Sequence, residues 1–174
     1  MAFSSEDVKR LRDLTGAGML DCKNAIEEAD GDFDKAKDVL RQRGFEAAAK
    51  RSERETAEGV IHSYIHHNRR IGALVEINCE SDFVARTDDF QNLAKQIGLQ
   101  VAAANPLYIS ADELPEGAEG DPKELCLLEQ PFVQDESRTI QDLLTEVIGK
   151  MGENIRIRRF ARFELGRYGE GAIP

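Results

Sequence analysis

Between residues 4 and 44, apolar side chains recur at helical spacing in three runs separated by glycine-bearing breaks. Val8, Leu11 and Leu14 share one face of a first helix, which Ser4 and Asp7 can cap and Gly16 ends. Met19, Cys22, Ile26 and Ala29 set the face of a second, stopped at Asp30 and Gly31. Asp32 caps a third carrying Phe33, Ala36, Val39 and Leu40, with Gly44 as its expected end. About forty residues is near the lower limit for an independent core, so the spacing predicts a compact three-helix module. Residues 45–57, rich in alanine and charge, suit a helical or extended linker.

After the linker the period changes from helical to alternating. Val60, His62 and Tyr64 alternate with Ile61, Ser63 and Ile65, and past the polar residues 66–70 the alternation resumes through Ile71, Ala73, Val75, Ile77 and Cys79. Two strands of a hairpin follow from this. Phe90, Leu93, Ile97 and Val101 then mark a helix over residues 89–104, closed by Asn105 and Pro106, with a third strand expected near residues 107–109. Pro115, Pro122 and Pro131, set among eight acidic residues, make residues 111–135 a loop with at most short helices. Ile140, Leu143, Leu144, Val147, Ile148 and Met151 form an amphipathic helix. In the last strand Ile155, Ile157, Arg159, Ala161, Phe163 and Leu165 fall on one face, and Arg156, Arg158, Phe160, Arg162 and Glu164 on the other. The expected fold class is α+β, an antiparallel sheet with helices preceded by the three-helix bundle. The expected division is residues 1–54 for module and linker and 55–174 for the core.

Composition sharpens this picture at three points. With 41% hydrophobic and 32% charged residues in a 174-residue chain, a packed core is expected rather than disorder. No run approaches the roughly 18 apolar residues of a membrane span and the N-terminus lacks a basic, apolar-cored signal, which makes the cytoplasm the expected location and excludes a membrane partner. The net charge of −10 is concentrated: −9 falls in residues 110–146, whereas residues 147–174 carry +3. Such a surface repels phosphate backbones, and nucleic acid is an unfavoured partner.

Candidate chemistry is sparse. Cys22, Cys79 and Cys126 are an odd, dispersed set without a Cys-x-x-Cys pair, which favours free thiols. His62, His66 and His67 cluster near the hairpin turn, but without a cysteine or carboxylate pattern exposed turn residues are favoured over a metal site. Cys79 beside Glu80, Ser81 and Asp82 lacks a base brought in from elsewhere, so a core cysteine is favoured over a nucleophile. Gly16, Ala17 and Gly18 follow a helix and lack the third glycine of a dinucleotide loop. Arg156, Arg158 and Arg162 could face RNA with Phe160 stacking, yet a solvated or internally matched face is favoured. One stretch stands apart, residues 81–86, where Phe83 sits beside Asp82 directly after a buried strand. Phe83 either folds back onto the core or stands out as an anchor for a partner, and the residues alone leave both readings open.

Two long motifs carry a resemblance. Thr15 through Ala25 (TGAGMLDCKNA) and Asn78 through Arg86 (NCESDFVAR) are similar to the two signatures of the elongation factor Ts family, with further likeness in LLEQPF (residues 127–132) and GENIRIRRF (residues 152–160). The resemblance covers nearly the whole chain. It implies an N-terminal bundle of the ubiquitin-associated type that docks on elongation factor Tu through Val8, Lys9, Arg10, Met19 and Leu20. It also implies a second contact in which the loop of Ser81, Asp82, Phe83 and Val84 enters elongation factor Tu near its Mg²⁺ and phosphates and promotes GDP release. The implied protein is a guanine nucleotide exchange factor, with no covalent chemistry, no cofactor and no nucleotide site of its own. Ser81 stands where many relatives have threonine, and Leu20 replaces a second methionine. The chain resembles the short class with one core unit, in which a homodimer formed through the sheets supplies a two-plus-two complex. The competing readings are an adaptor module without effect on GDP release and an RNA-binding protein.

Overall fold

The computed structural model describes residues 3–167. It shows an α+β protein: a helical segment followed by an antiparallel sheet with its helices. The chain forms two compact units, the residues through Arg54 together with Thr145–Asn154, and Glu55–Leu144 together with the residues from Ile155 onward.

The helical unit holds α1 (Ser5–Thr15), α2 (Met19–Glu28) and α3 (Phe33–Arg51). Ser4 and Asp7 form a reciprocal cap on α1: the Asp7 N–H donates to Ser4 Oγ at 3.2 Å and the Ser4 N–H donates to Asp7 Oδ2 at 2.8 Å. Gly16 ends the helix in the left-handed region at φ 68°, which a side chain would strain. The core is Val8, Leu11, Cys22, Ala25, Ile26, Ala29 and Ala36, with Phe3, Ala17, Phe33, Val39 and Leu40 packed on it. Leu14 is not part of it. The side chain expected on the buried face is 58% exposed, because Thr15, four residues on from Leu11, occupies that side and donates its hydroxyl to the Leu11 carbonyl at 2.7 Å.

Gly44 does not end α3, which runs on through the expected linker to Arg51. A single glycine costs a helix only about 1 kcal/mol, and Ala47, Ala48, Ala49, Lys50 and Arg51 are all strong helix formers. A Cβ on Gly44 would lie 3.4 Å from Thr145 Cγ2, within ordinary contact distance.

Backbone and hydroxyl donors hold two helix caps in their ionised form. The Ser4 N–H and hydroxyl lower the Asp7 carboxyl, and the Lys35 N–H, assisted by the Lys35 ammonium and the Asp34 N–H, lowers Asp32. A folded-state pKa below the unfolded one stabilises the protein above the ordinary carboxylate range near 3.9 and is lost as pH falls through it. The helical unit is therefore expected to lose helicity below about pH 4, with Asp7→Asn and Asp32→Asn each flattening that dependence in circular dichroism melts.

The second unit is built on β1 (Glu58–Ile65), β2 (Ile71–Cys79) and β5 (Ile155–Glu164), antiparallel in the order β1-β2-β5. The hairpin turn closes with the His66 N–H donating to the Ile71 carbonyl at 2.9 Å and Arg69 in the left-handed region at φ 56°. Between β2 and the later elements come the single turn α4 (Asp82–Ala85), α5 (Asp88–Ala104) and a short α6 (Pro122–Leu125). From α5, Phe90, Leu93, Ile97 and Val101 are buried as the spacing predicts, opposite Ala73, Val75 and Ile77 of the sheet. The final helix, α7 (Ile140–Met151), gives its first residues to this unit and its last to the helical one.

Two expectations fail in residues 105–139. The residues around Tyr108 add no strand to the sheet. Asn105 turns left-handed at φ 50°, after which the Leu107 and Tyr108 N–H groups donate to the Leu125 carbonyl, and Tyr108 bridges to Cys126. At the end of the acidic stretch, where loop with at most short helices is expected over residues 111–135, β3 (Pro131–Phe132) pairs with β4 (Asp135–Thr139) in a small hairpin. Gln100 holds the start of this hairpin. Fully buried on α5, it donates through Nε2 to Gln130 Oε1 and to the Pro131 carbonyl, both at 3.1 Å, and accepts the Val133 N–H at 2.9 Å. Gln130 in turn donates to the Glu124 carbonyl at 2.8 Å. Irregular backbone inside a fold needs such partners. Gln100→Leu is therefore expected to destabilise the chain by about 1–3 kcal/mol in urea titration, with hydrogen exchange increasing at Val133.

The last strand departs from simple alternation. Register shifts between Glu76 and Ile77: Ile157 pairs with Ile77 and Arg159 with Glu76, leaving Arg158 as a bulge. Beyond it the faces exchange. Phe160 and Arg162 pair with buried Val75 and Ala73, while Ala161 and Phe163 join exposed Leu74 on the opposite side. Arg162 Nε donates to the Ala102 carbonyl at 3.0 Å and Nη1 to Glu164 Oε2 at 2.9 Å, and this bond, with Arg167 and Arg70, lowers the Glu164 carboxyl.

Candidate functional site

The site is a single helical turn held from beneath. β2 ends in buried Cys79, whose thiol donates to the Ser81 carbonyl at 3.1 Å. Ser81, in extended backbone at φ −129°, caps the turn by accepting the Val84 N–H on Oγ at 3.3 Å. On the far side Thr87 joins the turn to the next helix: its hydroxyl donates to the Val84 carbonyl at 2.8 Å and accepts the Phe90 N–H at 3.3 Å as the cap of α5. Gln91 Nε2 donates to the Ala85 carbonyl at 2.7 Å. Val84 and Ala85 are buried, and the turn is thereby anchored in the core of its unit.

Phe83 points the other way, 81% exposed. Of the two readings left open by the sequence, the structure takes the outward one. Asp82 lies beside it and pairs with Arg86 Nη2 at 2.9 Å, one helical turn along. A phenylalanine left in water forgoes roughly 25 cal/mol per Å² of its apolar surface, a driving force available to any partner with a matching cleft.

Not every residue expected at a partner surface lies on one. Val8 and Val84 are each only 7% exposed, so both position their neighbours and neither offers appreciable surface. A valine on the inner stripe of a helix, and one packed under a turn, go where their apolar surface is covered. Ser81 caps its turn. Lys9 is exposed, as is Arg10, whose guanidinium carbon stands 4.9 Å above the Phe33 ring. Met19, which the spacing places on the inner face of the second helix, and Leu20 are both exposed at the start of α2. Leu14, at the end of α1, joins them as an exposed apolar side chain, although helical spacing places it on the face of Val8 and Leu11. The signal for it was Thr15, whose hydroxyl can return to its own helix and take the inner position.

Other candidate chemistry is placed as follows. Tyr64 Oη lies 3.2 Å from His66 Nδ1 and the rings of His66 and His67 are 4.2 Å apart, and among the described residues no three His, Cys, Asp or Glu side chains are grouped to hold a metal ion. All three cysteines are buried, and burial pushes the Cys22 and Cys126 thiols up, away from the reactive thiolate. The arginine face proposed for RNA loses Arg162 to the interior. No helix among the described residues is long and apolar enough to cross a membrane.

Comparison with known proteins gives one result. Residues 34–119 match the family described as Elongation factor TS. The chain is 49% identical to the elongation factor Ts of Carboxydothermus hydrogenoformans, with 94% of this chain and 89% of the relative covered. It is 49% identical to that of Caldanaerobacter subterraneus, covering 94% and 97%, and 45% identical to that of Petrotoga mobilis, covering 95% and 100%.

Proposed function

Because the chain belongs to the elongation factor Ts family, we propose that it binds elongation factor Tu and promotes release of GDP by inserting Asp82 and Phe83 near the Mg²⁺ and phosphate site, so that GTP can rebind. The observation that carries this reading is the exposure of Phe83 on a turn whose flanking groups are tied into the core. A fixed platform delivers the ring without an ordering cost at the moment of binding. Weakening the hold on a cation that bridges two phosphates unmasks their repulsion and loosens the nucleotide, with no covalent step and no nucleotide site on this chain. Coupling is reciprocal, so Mg²⁺-bound nucleotide weakens the hold of the exchange factor and returns it for another cycle. The helical module, residues 1–54, in the manner of a ubiquitin-associated bundle, supplies a second contact through Lys9, Arg10, Met19 and Leu20, while Val8, Ser81 and Val84 set the geometry. The setting is the cytoplasm.

The outer face of the sheet supports a homodimer within a two-plus-two complex. Ile61, Ile65, Leu74 and Phe163 are exposed there, in register across three adjacent strands, with Leu165 just beyond the strand end. Glu76 and Arg159, paired at 2.6 Å on the same face, can exchange partners across a two-fold axis.

The deciding experiment is stopped-flow release of a fluorescent GDP analogue from elongation factor Tu. Strong acceleration by this protein is expected; its absence would refute the exchange function.

A further inference from the structure

The wedge is not a lone carboxylate beside an aromatic ring. Asp82 and Arg86 frame Phe83 as an ion pair 2.9 Å long, their side chains 61% and 79% exposed. Arg86 is also the one cation between Cys79 and Lys95, a stretch that carries Glu80, Asp82, Asp88 and Asp89. Asp88 and Asp89 belong to the first turn of α5, where they offset the helix dipole and are committed to it. An exposed pair of this kind adds little to stability. Its consequence lies in what the turn presents: an apolar ring with its adjacent negative charge matched.

From this we propose that Arg86 is a positioning residue of the exchange wedge, which holds the Asp82 carboxylate beside Phe83 and neutralises it for entry into an anionic nucleotide site. The inference rests on the exchange reading given above. A diphosphate repels an approaching carboxylate, and the chain as a whole carries −10. With Arg86 in place the tip enters as a neutral unit, and the guanidinium, with donors in excess of the one bond it makes to Asp82, can follow the carboxylate as it changes partners. Without it, the tip carries the Asp82 carboxylate toward the phosphates unmatched.

The test compares wild type, Arg86→Gln and Arg86→Lys in GDP-analogue release from elongation factor Tu at about 50 and about 200 mM salt, where screening differs about twofold in length. Arg86→Gln is expected to raise the half-saturating concentration about three- to tenfold at the lower salt, with most of that loss relieved at the higher salt. Its saturating rate should stay within about twofold of wild type and its melting transition unchanged, because both side chains are exposed. Arg86→Lys should restore most of the loss, since charge rather than the planar fork is required. Equal activity of Arg86→Gln and wild type at low salt would overturn the role, as would a loss that salt does not relieve and lysine does not rescue. No acceleration by wild type would instead overturn the exchange reading and this inference with it.

Discussion

Phe83→Ala is expected to leave the protein folded and to reduce exchange nearly to the spontaneous rate. The two halves of this expectation have separate causes. The ring is 81% exposed, while the turn beneath it is held by Ser81, Thr87 and Gln91 and by buried Val84 and Ala85, so truncation removes almost no packing. Surface substitutions of this kind shift stability by about 0.5 kcal/mol or less. In the proposed complex the same ring serves as an aromatic anchor, and truncating such an anchor typically costs about 2–4 kcal/mol, or roughly 30- to 1,000-fold in binding. Stopped-flow release from elongation factor Tu, set beside a thermal melt, separates the effects. An unchanged melt with lost exchange supports the wedge. Retained exchange refutes it.

The second large effect concerns the open face of the sheet. Phe163→Glu combined with Leu74→Glu is expected to convert the proposed dimer to monomer. In an antiparallel sheet, side chains paired in register share a face: Phe163 neighbours Gly72, Leu74 neighbours Ala161, and Gly72 in turn pairs with Ile65. A carboxylate buried between two copies without a partner costs about 3–5 kcal/mol, so dimerisation should weaken by at least about 100-fold. In the free chain both positions are exposed, so folding should be spared. Light scattering at working concentration reads the outcome directly. A wild-type protein that already scatters as a monomer would end the dimer proposal.

The bulge at Arg158 is what opens that face. Strict alternation puts Arg159 with Ile155 and Ile157, and Phe160 with the arginines; the register shift places Phe160 and Arg162 toward α5 and turns Phe163 outward. One extra residue in a strand inverts every side chain after it, and nothing in the local spacing announces it. The bulge and the inward arginine also blunt the free edge of β5, which otherwise offers unpaired backbone groups to other chains.

What the sequence determined by itself is what neighbouring residues settle between them. Ser4 with Asp7 and Asp32 with its two following amides are caps that close within three residues, and the stripes Leu11, Ile26, Ala36 and Phe90, Leu93, Ile97 are set by helical period alone. The hairpin of β1 and β2 is likewise local, and the two motifs that identify the family are continuous runs. Tertiary structure decided the rest, because each remaining outcome balances groups far apart in the chain. α3 passes Gly44 beside Thr145, and residues 107–128 pair with each other while Gln100 holds the next stretch in place. Arg158 bulges so that Arg162 can reach the Ala102 carbonyl. Phe83 belongs with these. Its neighbours permit either orientation, and it stands in solvent because Val84 and Ala85 already occupy the inner side of a turn too short to bury a third residue.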